Sequence, residues 1–266
     1  MARSAIINVM VQAAMKAGRS LARDFGEVQN LQVSMKGPAD YVTQADRKAE
    51  DVVFAELSRA RPGYAFLMEE RGAVAGDDGQ HRWIVDPLDG TTNFLHGIPI
   101  FAVSIGLERQ GQLIAGVVYN PAMDELYTAE RGGGAFLNDR RLRVAARTKL
   151  SDAVIGTGIP HLGRGHHGNY LIEMRHVMGE VAGVRRMGAA ALDLCYVAAG
   201  RLDGFWEEGL SAWDMAAGVL MIREAGGFAT DMDGGQAMLD TGGIVAGNEA
   251  IHRALIKTIK KPLPVR

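Results

Sequence analysis

The feature that most constrains this chain is an apolar run that ends in two acids, the stretch WIVDPLDGTTNF at residues 83–94. Its first three residues suit a buried β-strand, and the proline after the first acid cannot donate to a ladder, so the sheet is predicted to stop there. Asp86 and Asp89 then lie on a turn, where two carboxylates are placed to hold hard cations. Gly90 permits close approach of the backbone, and Thr91 suits the start of a short helix whose N–H groups face an anion. The stretch therefore predicts a strand that delivers acids to a phosphate site.

The composition is typical of a globular protein that binds a small molecule. The 266 residues are 47% apolar, which is enough for one large α/β domain or two smaller ones. Lys and Arg number 29 against 31 for Asp and Glu, so the net charge of -2 gives no electrostatic case for nucleic acid or membrane as the main partner. The lone Cys195 cannot form an internal disulfide, and no segment reads as a signal peptide or a membrane span. We therefore expect a cytoplasmic protein.

The hydrophobic pattern divides the chain into two halves, 1–146 and 147–266, with a predicted domain boundary where the sequence turns polar. The first half is predicted to contain two long helices, two short strands and an antiparallel meander: helices 4–25 and 43–61, strands 66–68 and 81–85, and meander strands 101–108, 113–119, 125–129 and 134–137. The second half alternates strands with four helices, predicted at 169–181, 190–199, 215–224 and 248–260. Residues 29–41 and 72–80 are predicted to be loops.

Two acids on a turn also have an ordinary structural explanation, because Asp and Gly favour turns. Two known motifs are excluded. A calcium loop that begins at Asp86 requires Asp or Asn at its third position and Glu at its twelfth, and Leu88 and Gly97 occupy those places. Phosphatases of the haloacid-dehalogenase type carry Asp-x-Asp-Gly-Thr, whereas here one extra residue separates the acids and would misplace a nucleophilic aspartate.

A second acidic stretch, GLSAWDMAAG at residues 209–218, places Asp214 in the first turn of an otherwise apolar helix. Helix capping alone would explain an acid there. Taken together, the two stretches resemble the hallmarks of the inositol monophosphatase family, D-P-[IL]-D-G-T-x-N-F and a later W-D-x-A-A-G. The resemblance extends over nearly the whole chain and is closest to the family's bacterial extragenic-suppressor branch. Further segments that carry it are 39–46, 69–70, 188–193, 204–207 and 224–227.

The resemblance implies an α/β fold, a layered α-β-α-β-α sandwich of the inositol monophosphatase and fructose-1,6-bisphosphatase type. It also implies a metal site made of oxygen ligands. Such a site, rich in carboxylates, suits Mg²⁺, and the family implies two or three ions. Carried over to this chain, the ligands are Glu70, Asp86, the backbone carbonyl of Leu88, Asp89 and Asp214.

The family's chemistry assigns a catalytic role to several of these groups. Glu70 and Thr91 would orient and deprotonate a metal-bound water for in-line attack on phosphorus. Asp89 would bridge two ions, while Asp86 and Asp214 would hold the ion that stabilises the leaving group.

The remaining groups around the reaction centre follow from the same resemblance. Asp46 would accept a hydrogen bond from Thr91, and the phosphate would rest on the amides of Gly90 and Thr91. Lys36 matches a mobile loop of the family, where it either approaches a third ion or the phosphate, or is a solvated lysine.

The substrate's hydroxyls are met in the family by a Gly-[Ser/Thr]-Ala segment and a glutamate, which correspond here to Gly188, Ala189, Ala190 and Glu207. Two departures from the family pattern are visible. Ala189 lacks the hydroxyl, and the family's Gly-Glu-Glu reads as Met68-Glu69-Glu70 in this chain.

Two questions about the substrate end stay open. Glu208 beside Glu207 leaves the register of the substrate-binding glutamate undecided. Arg185 and Arg186 would reach either phosphate or a partner subunit.

The expected function is that of a Mg²⁺-dependent phosphomonoesterase acting on a polyol phosphate, myo-inositol 1-phosphate above all. The resemblance also implies a homodimer and inhibition by Li⁺. Rival substrates are fructose 1,6-bisphosphate, histidinol phosphate and nucleotide phosphates, and a rival mechanism is an aspartyl-phosphate intermediate. A rival of another class is a regulatory role in binding the transcription machinery, which the extragenic-suppressor branch suggests by resemblance alone.

Overall fold

The structure is a computed structural model, and it describes residues 3–27, 33–37, 40–160 and 166–261. In these ranges the helices are α1 (Ala5–Phe25), α2 (Gln44–Ala60), α3 (Thr91–Leu95), α4 (His167–Met178), α5 (Ala190–Ala198), α6 (Ala212–Glu224), α7 (Met238–Thr241) and α8 (Glu249–Ile259). The strands are β1 (Val33–Gly37), β2 (Asp40–Thr43), β3 (Ala65–Met68), β4 (Gly72–Val74), β5 (His81–Asp89), β6 (Ala102–Arg109), β7 (Gln112–Asn120), β8 (Glu125–Glu130), β9 (Gly134–Leu137), β10 (Arg140–Arg141), β11 (Val154–Thr157), β12 (Gly183–Arg185), β13 (Gly204–Glu207), β14 (Phe228–Thr230) and β15 (Ile244–Gly247).

The helices follow the apolar periodicity of the sequence. In α1, Ile7, Met10, Ala14 and Leu21 recur at helical spacing and are all buried, and the hydroxyl of Ser4 caps the helix by accepting from the Ile7 N–H at 3.3 Å. The helix predicted at 4–25 is therefore confirmed. The four helices predicted in the second half are also present, with ends within three residues of the predicted ones.

An eight-stranded sheet is built from the first half of the chain, in the order β10-β9-β8-β7-β6-β5-β3-β4. Only the β3–β5 pair is parallel among these strands, and the predicted meander from β6 to β9 is confirmed. Successive side chains point to opposite faces of the sheet. Val117 therefore packs in the core beneath α1 and α2, and its neighbour Val118 packs in the central core, which contains α5 and α6. A five-stranded sheet from the second half has the order β12-β11-β13-β15-β14, in which β12, β11 and β13 run parallel.

Strand β5 corrects the prediction that the sheet stops at Pro87. The strand continues to Asp89, and its register against β6 shifts between Asp86 and Asp89. Pro87 lies within this irregularity, where a missing N–H costs no ladder bond. The two acids therefore project from the bulged end of a strand rather than from a free turn.

Two segments predicted as loops also contain strands. Strand β4 pairs with β3 at the edge of the large sheet, and β1 pairs with β2. Residues 29–32 and 38–39 of the first predicted loop lie outside the described ranges, as does the side chain of Lys36.

The elements stack as an α-β-α-β-α sandwich, as predicted. Helices α1 and α2 cover the outer face of the large sheet, α5 and α6 lie between the two sheets, and α4 and α8 cover the outer face of the smaller sheet. Gly106 of β6 allows α6 to approach closely, because a Cβ there would lie 2.9 Å from the Cβ of Ala216. The large sheet ends at Arg141 and the smaller one begins at Val154. The central core joins both sheets, and a division into two domains stays a prediction.

Among the helices of the described residues, none combines the length and the apolar character needed to cross a bilayer.

Candidate functional site

A cavity of about 140 Å³ opens where the end of β5 meets the first residues of α3, α5 and α6 and the carboxyl ends of β11 and β13. Ligands of α/β proteins bind at the carboxyl ends of parallel strands, and helix N-termini attract anions. The position thus suits a negatively charged small molecule. Most of the residues singled out in the sequence line this cavity: Asp86, Leu88, Asp89, Gly90, Thr91, Gly188, Ala189, Ala190, Glu207 and Asp214.

The acidic motif is folded by its own hydrogen bonds. The Leu88 N–H donates to Asp86 Oδ1 at 2.9 Å, and the Thr91 hydroxyl donates to the Leu88 carbonyl at 2.9 Å. This second bond corrects an expectation, because the single hydroxyl proton of Thr91 is not donated to Asp46. Asp46 is buried at 1% exposure in the first turn of α2 and is not among the residues that line the cavity. A carbonyl oxygen has two lone pairs, so the Leu88 oxygen retains the capacity to accept a further bond.

Gly90 links the strand to α3 in a conformation that other residues rarely adopt. Its φ is +87°, and a Cβ at this position would lie 2.7 Å from the carbonyl oxygen of Ile100. Three residues later, the Asn93 amide donates to the carbonyls of Ile100 at 2.8 Å and Met187 at 2.9 Å. The motif is thereby tied to the Gly188 segment of the second half.

Two of the acids hold the N-termini of the central helices. Asp89 Oδ2 accepts from the Ala191 N–H at 2.7 Å in α5, and Asp214 Oδ2 accepts from the Ser211 N–H at 2.7 Å at the start of α6. Ala189 occupies the cap position of α5 and supplies no side-chain bond, so Asp89 reaches across from β5 to satisfy that helix. Both carboxyl groups are thus fixed by backbone N–H groups at the positive ends of helices.

The structure places Glu69, and not Glu70, in the cavity wall. The β3 pairing continues to Glu69, whose N–H donates to the Val85 carbonyl at 3.3 Å, and side chains alternate between the faces of an extended segment. The Glu70 N–H donates to Glu50 Oε2 at 2.9 Å, and its carboxylate lies 3.9 Å from the Arg47 guanidinium. The expected position of the first-half glutamate is therefore corrected by one residue, from Glu70 to Glu69.

Burial and mutual repulsion raise the pKa values of the central acids. The pKa of Asp86 is raised well above its usual value, first by burial and then by the charges of Glu69, Asp89, Asp214 and Asp46. The pKa of Asp89 is raised by burial and by Asp214, while its bond to the Ala191 N–H acts in the opposite direction. A cation in the cavity would offset this repulsion, since the charges of these acids act on one another.

The chemistry of this donor set fits a hard divalent ion. At this end of the cavity the donors are the Leu88 carbonyl and four of the lining carboxyl groups, and oxygen ligands of this kind suit Mg²⁺. The four carboxyl groups are those of Glu69, Asp86, Asp89 and Asp214. In the part of the chain that the structure describes, no three His, Cys, Asp or Glu side chains are grouped tightly enough to hold an ion as they stand.

The other end of the cavity is lined by residues from the smaller sheet and α5. Glu207 lies at the end of β13, and burial together with the charge of Asp214 raises its pKa to about 8, with Arg186 acting against this shift. Arg186 also lines the cavity, whereas Arg185 does not and donates to the Val184 carbonyl. Contact of Arg186 with phosphate stays a prediction.

Asp193 is a cavity residue to which the sequence gave no role. It is 1% exposed, and its Oδ1 has no hydrogen-bond partner among the described residues. Burial, Glu207 and Asp89 raise its pKa well above the usual value. The sequence signal that could have identified Asp193 is an acid in an otherwise apolar helix. Buried acids are rare unless they are paired, so such an acid indicates a functional position.

Glu207 should make the metal-free protein less stable as the pH rises. Its pKa is about 8 in the folded chain against an ordinary value of 4.5, so the folded state holds a proton that the unfolded state has already released. Stability must therefore fall as the pH rises through this window, by up to about 1.4 kcal/mol per pH unit for one group. We expect Glu207→Gln to flatten the decline in urea midpoint between about pH 5 and about pH 8, measured in chelator. Equal slopes for the variant and the parent chain would contradict this assignment.

Comparison with known proteins gives consistent matches over the whole chain. Residues 2–262 match the model of the inositol monophosphatase family. An inositol-1-monophosphatase of Mesorhizobium japonicum is 80% identical over 266 residues, which cover 100% of both chains. A Pseudomonas aeruginosa protein named Nus factor SuhB is 47% identical over 263 residues, or 97% of each chain. The crystal structure of the extragenic suppressor protein suhB from Bartonella henselae has a TM-score of 0.95 and 68% identity, covering 98% of this chain and 100% of that one.

Proposed function

Because this chain belongs to the inositol monophosphatase family and is therefore a phosphatase, we propose that it is a Mg²⁺-dependent phosphomonoesterase that hydrolyses myo-inositol 1-phosphate or a similar polyol phosphate. The observation that carries the proposal is the convergence on one cavity of Glu69, Asp86, Asp89 and Asp214 at the N-termini of three helices. An all-oxygen acidic site beside anion-attracting helix ends suits a metal ion together with a phosphate.

The metal would be held by the acidic end of the cavity. The proposed ligands are Glu69, Asp86, the Leu88 carbonyl, Asp89 and Asp214, for two or three Mg²⁺ ions. When bound, such ions supply Lewis-acid stabilisation of charge on the phosphoryl group and activation of a water molecule. The protein's own part is to hold the carboxyl groups in place, as the N–H groups of Ala191 and Ser211 do for Asp89 and Asp214.

The phosphate would lie against backbone N–H groups rather than against a cluster of basic side chains. Gly90 and Thr91 begin α3, and the positive end of α5 begins at Ala190 on the opposite wall. Close approach to the backbone is possible because Gly90 has no side chain. Thr91, whose hydroxyl is oriented by the Leu88 carbonyl, is the proposed group for orienting the attacking water.

The polyol would lie toward Gly188, Ala189, Ala190 and Glu207. The Glu207 carboxyl group accepts hydrogen bonds in either protonation state, so a hydroxyl group of the substrate can donate to it. Ala189 brings only its backbone to this wall, since its side chain has no polar atom.

A substrate panel with Mg²⁺ tests the proposal. We expect the highest kcat/KM for myo-inositol 1-phosphate among myo-inositol 1-phosphate, fructose 1,6-bisphosphate, histidinol phosphate and a nucleotide monophosphate. We also expect Li⁺ to inhibit turnover. A preference of about tenfold or more for one of the other esters, equivalent to about 1.4 kcal/mol, would assign the chain to a different substrate class. A phosphate trapped covalently on Asp86 or Asp89 would contradict the water mechanism.

We also propose that the chain forms a homodimer, with α4 at the interface. Of the residues of α4, Val177 alone is buried, whereas Leu171 is 65% and Met178 is 58% exposed. These two residues are seven positions apart, so they share one face of the helix. Exposed apolar side chains on one face suit burial against a second copy.

A second proposed role, in the transcription machinery, rests on the name of the P. aeruginosa relative, Nus factor SuhB. A complementation experiment separates the two roles. A variant that has no phosphatase activity but still complements loss of this protein would act through binding.

A further inference from the structure

Gly158 lies directly beside Glu207 in the cavity wall. Strands β11 and β13 run parallel, with Thr157 paired to Trp206. The residues that follow this pair, Gly158 and Glu207, therefore lie side by side and both line the cavity. Gly158 and Glu207 are thus neighbours across the carboxyl ends of these strands, although 49 positions separate them in the sequence.

The Glu207 carboxyl group occupies the space that a side chain at position 158 would need. An ideal Cβ on Gly158 would lie 1.7 Å from Glu207 Oε1, 1.9 Å from Cδ and 2.4 Å from Oε2. All three distances are far inside van der Waals contact. The φ of Gly158 is not in the left-handed region, so the backbone conformation does not itself require glycine here. The requirement for glycine is one of space.

The strand ends around this contact are held in place on both sides. The Thr157 hydroxyl donates to the Gly158 carbonyl at 3.0 Å, and the buried Trp206 indole donates to Glu173 at 3.0 Å. A methyl group at position 158 would therefore be accommodated by rotation of the Glu207 side chain, the flexible member of the pair. Such a rotation would move the carboxyl group away from its present place in the cavity wall.

We propose that Gly158 is a specificity-determining positioning residue, whose missing side chain seats the Glu207 carboxyl group where it meets the hydroxyls of a polyol phosphate. This inference rests on the proposed function. Gly158 itself supplies no polar side-chain group to the substrate, and it acts through Glu207. Selection then comes from a hydrogen bond that a hydroxyl-bearing ester can make and that an ester without ring hydroxyls cannot.

The first test is Gly158→Ala, assayed with two esters in the presence of Mg²⁺. We expect kcat/KM for myo-inositol 1-phosphate to fall by about tenfold, mostly through KM, which corresponds to the loss of about one hydrogen bond. Hydrolysis of p-nitrophenyl phosphate, which has no ring hydroxyls, should change by less than about twofold. Gly168→Ala is the matched control, because a Cβ on Gly168 would meet nothing within 4 Å and its φ is also outside the left-handed region. The control should leave both esters unaffected.

A double-mutant cycle with Glu207→Ala separates positioning from a general structural effect. Removal of the Glu207 carboxyl group removes the clash, so Gly158→Ala should have little further effect on the ratio of the two esters in that background. The double variant should also recover any thermal stability that Gly158→Ala loses, which keeps the test valid if the single variant folds poorly.

Three outcomes would count against the inference. The first is an unchanged ratio of kcat/KM for the two esters in Gly158→Ala, and the second is additive effects of the two substitutions in the double variant. Either would overturn the role of Gly158, while turnover by the parent chain would still support the proposed function. Absence of turnover by the parent chain with every ester would overturn the proposed function and this inference with it.

Discussion

Replacing Asp89 with asparagine should lower turnover of myo-inositol 1-phosphate by about 1000-fold or more, equivalent to about 4 kcal/mol of transition-state stabilisation. Asp89 is the acid on which burial and the charges of Asp214, Glu207 and Glu69 act together. The asparagine amide keeps an oxygen that accepts from the Ala191 N–H, now 2.7 Å from Asp89 Oδ2, so the start of α5 should be preserved. The loss is therefore of charge at the proposed metal site rather than of local structure.

The stability of the same variant should move in the opposite direction. Without metal, Asp89→Asn removes one of several buried like charges, so its thermal midpoint should equal or exceed that of the parent chain. Addition of Mg²⁺ should raise the midpoint of the parent chain more than that of the variant, because binding to the folded state stabilises it.

Asp231→Asn provides a matched control for this experiment. Asp231 is 9% exposed, as Asp89 is, but it does not line the cavity. Its carboxylate accepts from N–H groups of the turn that follows it, including that of Gly235 at 2.7 Å. This variant should retain turnover and the response to Mg²⁺. Near-normal turnover by Asp89→Asn would contradict the proposed metal site, whatever the control shows.

The second large effect should distinguish two adjacent glutamates. Glu69→Gln should lower turnover by about 100-fold or more, since Glu69 lines the cavity and its charge acts on both Asp86 and Asp89. Glu70→Gln should change turnover by less than about threefold, because Glu70 does not line the cavity and its carboxylate lies 3.9 Å from the Arg47 guanidinium instead.

Steady-state kinetics at saturating Mg²⁺ measure both variants under the same conditions. Each substitution removes one negative charge and keeps the side chain's shape, so the pair are controls for each other. A larger loss in Glu70→Gln than in Glu69→Gln would restore the position expected from the sequence and would contradict the placement in the structure.

The acids of the local motifs were the most predictable part of the site. Asp86 and Asp89 follow directly from an apolar run, and Asp214 from the first turn of an apolar helix, so each needs only a few neighbouring residues to be recognised. Their assembly in one cavity came from the family resemblance, since nothing in the spacing alone joins β5 to α6. The meander was predictable for a local reason, because alternation and short turns fix neighbouring strands.

Features that depend on tertiary register were not predictable in the same way. Glu69 and Glu70 are chemically equivalent, and a shift of one residue in an extended segment exchanges the faces of the two side chains. Pro87 reads as a strand end, yet a bulge accommodates it within β5. The bond from Thr91 to Leu88 in place of Asp46 likewise depends on how the motif is folded.

Contacts between distant segments were missed for a further reason. Gly158 has no side chain to suggest a role, and its importance arises only when β13 brings Glu207 within reach of it. Asp193 is surrounded in sequence by apolar residues of α5, and its place in the cavity wall requires the start of that helix to meet the end of β5, as the bond from the Ala191 N–H to Asp89 shows. These residues are visible only once the two halves of the chain are assembled.

Carboxyl groups from both halves of the chain are proposed to hold Mg²⁺ for phosphate-ester hydrolysis in this cavity. The most direct measurement is release of inorganic phosphate from myo-inositol 1-phosphate by the purified chain, first with Mg²⁺, then with excess chelator, and then with Mg²⁺ restored. We predict release that stops in chelator, resumes with Mg²⁺, and is abolished by Asp89→Asn at every Mg²⁺ concentration. Phosphate release that persists in chelator would contradict this proposal. So would release by Asp89→Asn at the rate of the parent chain.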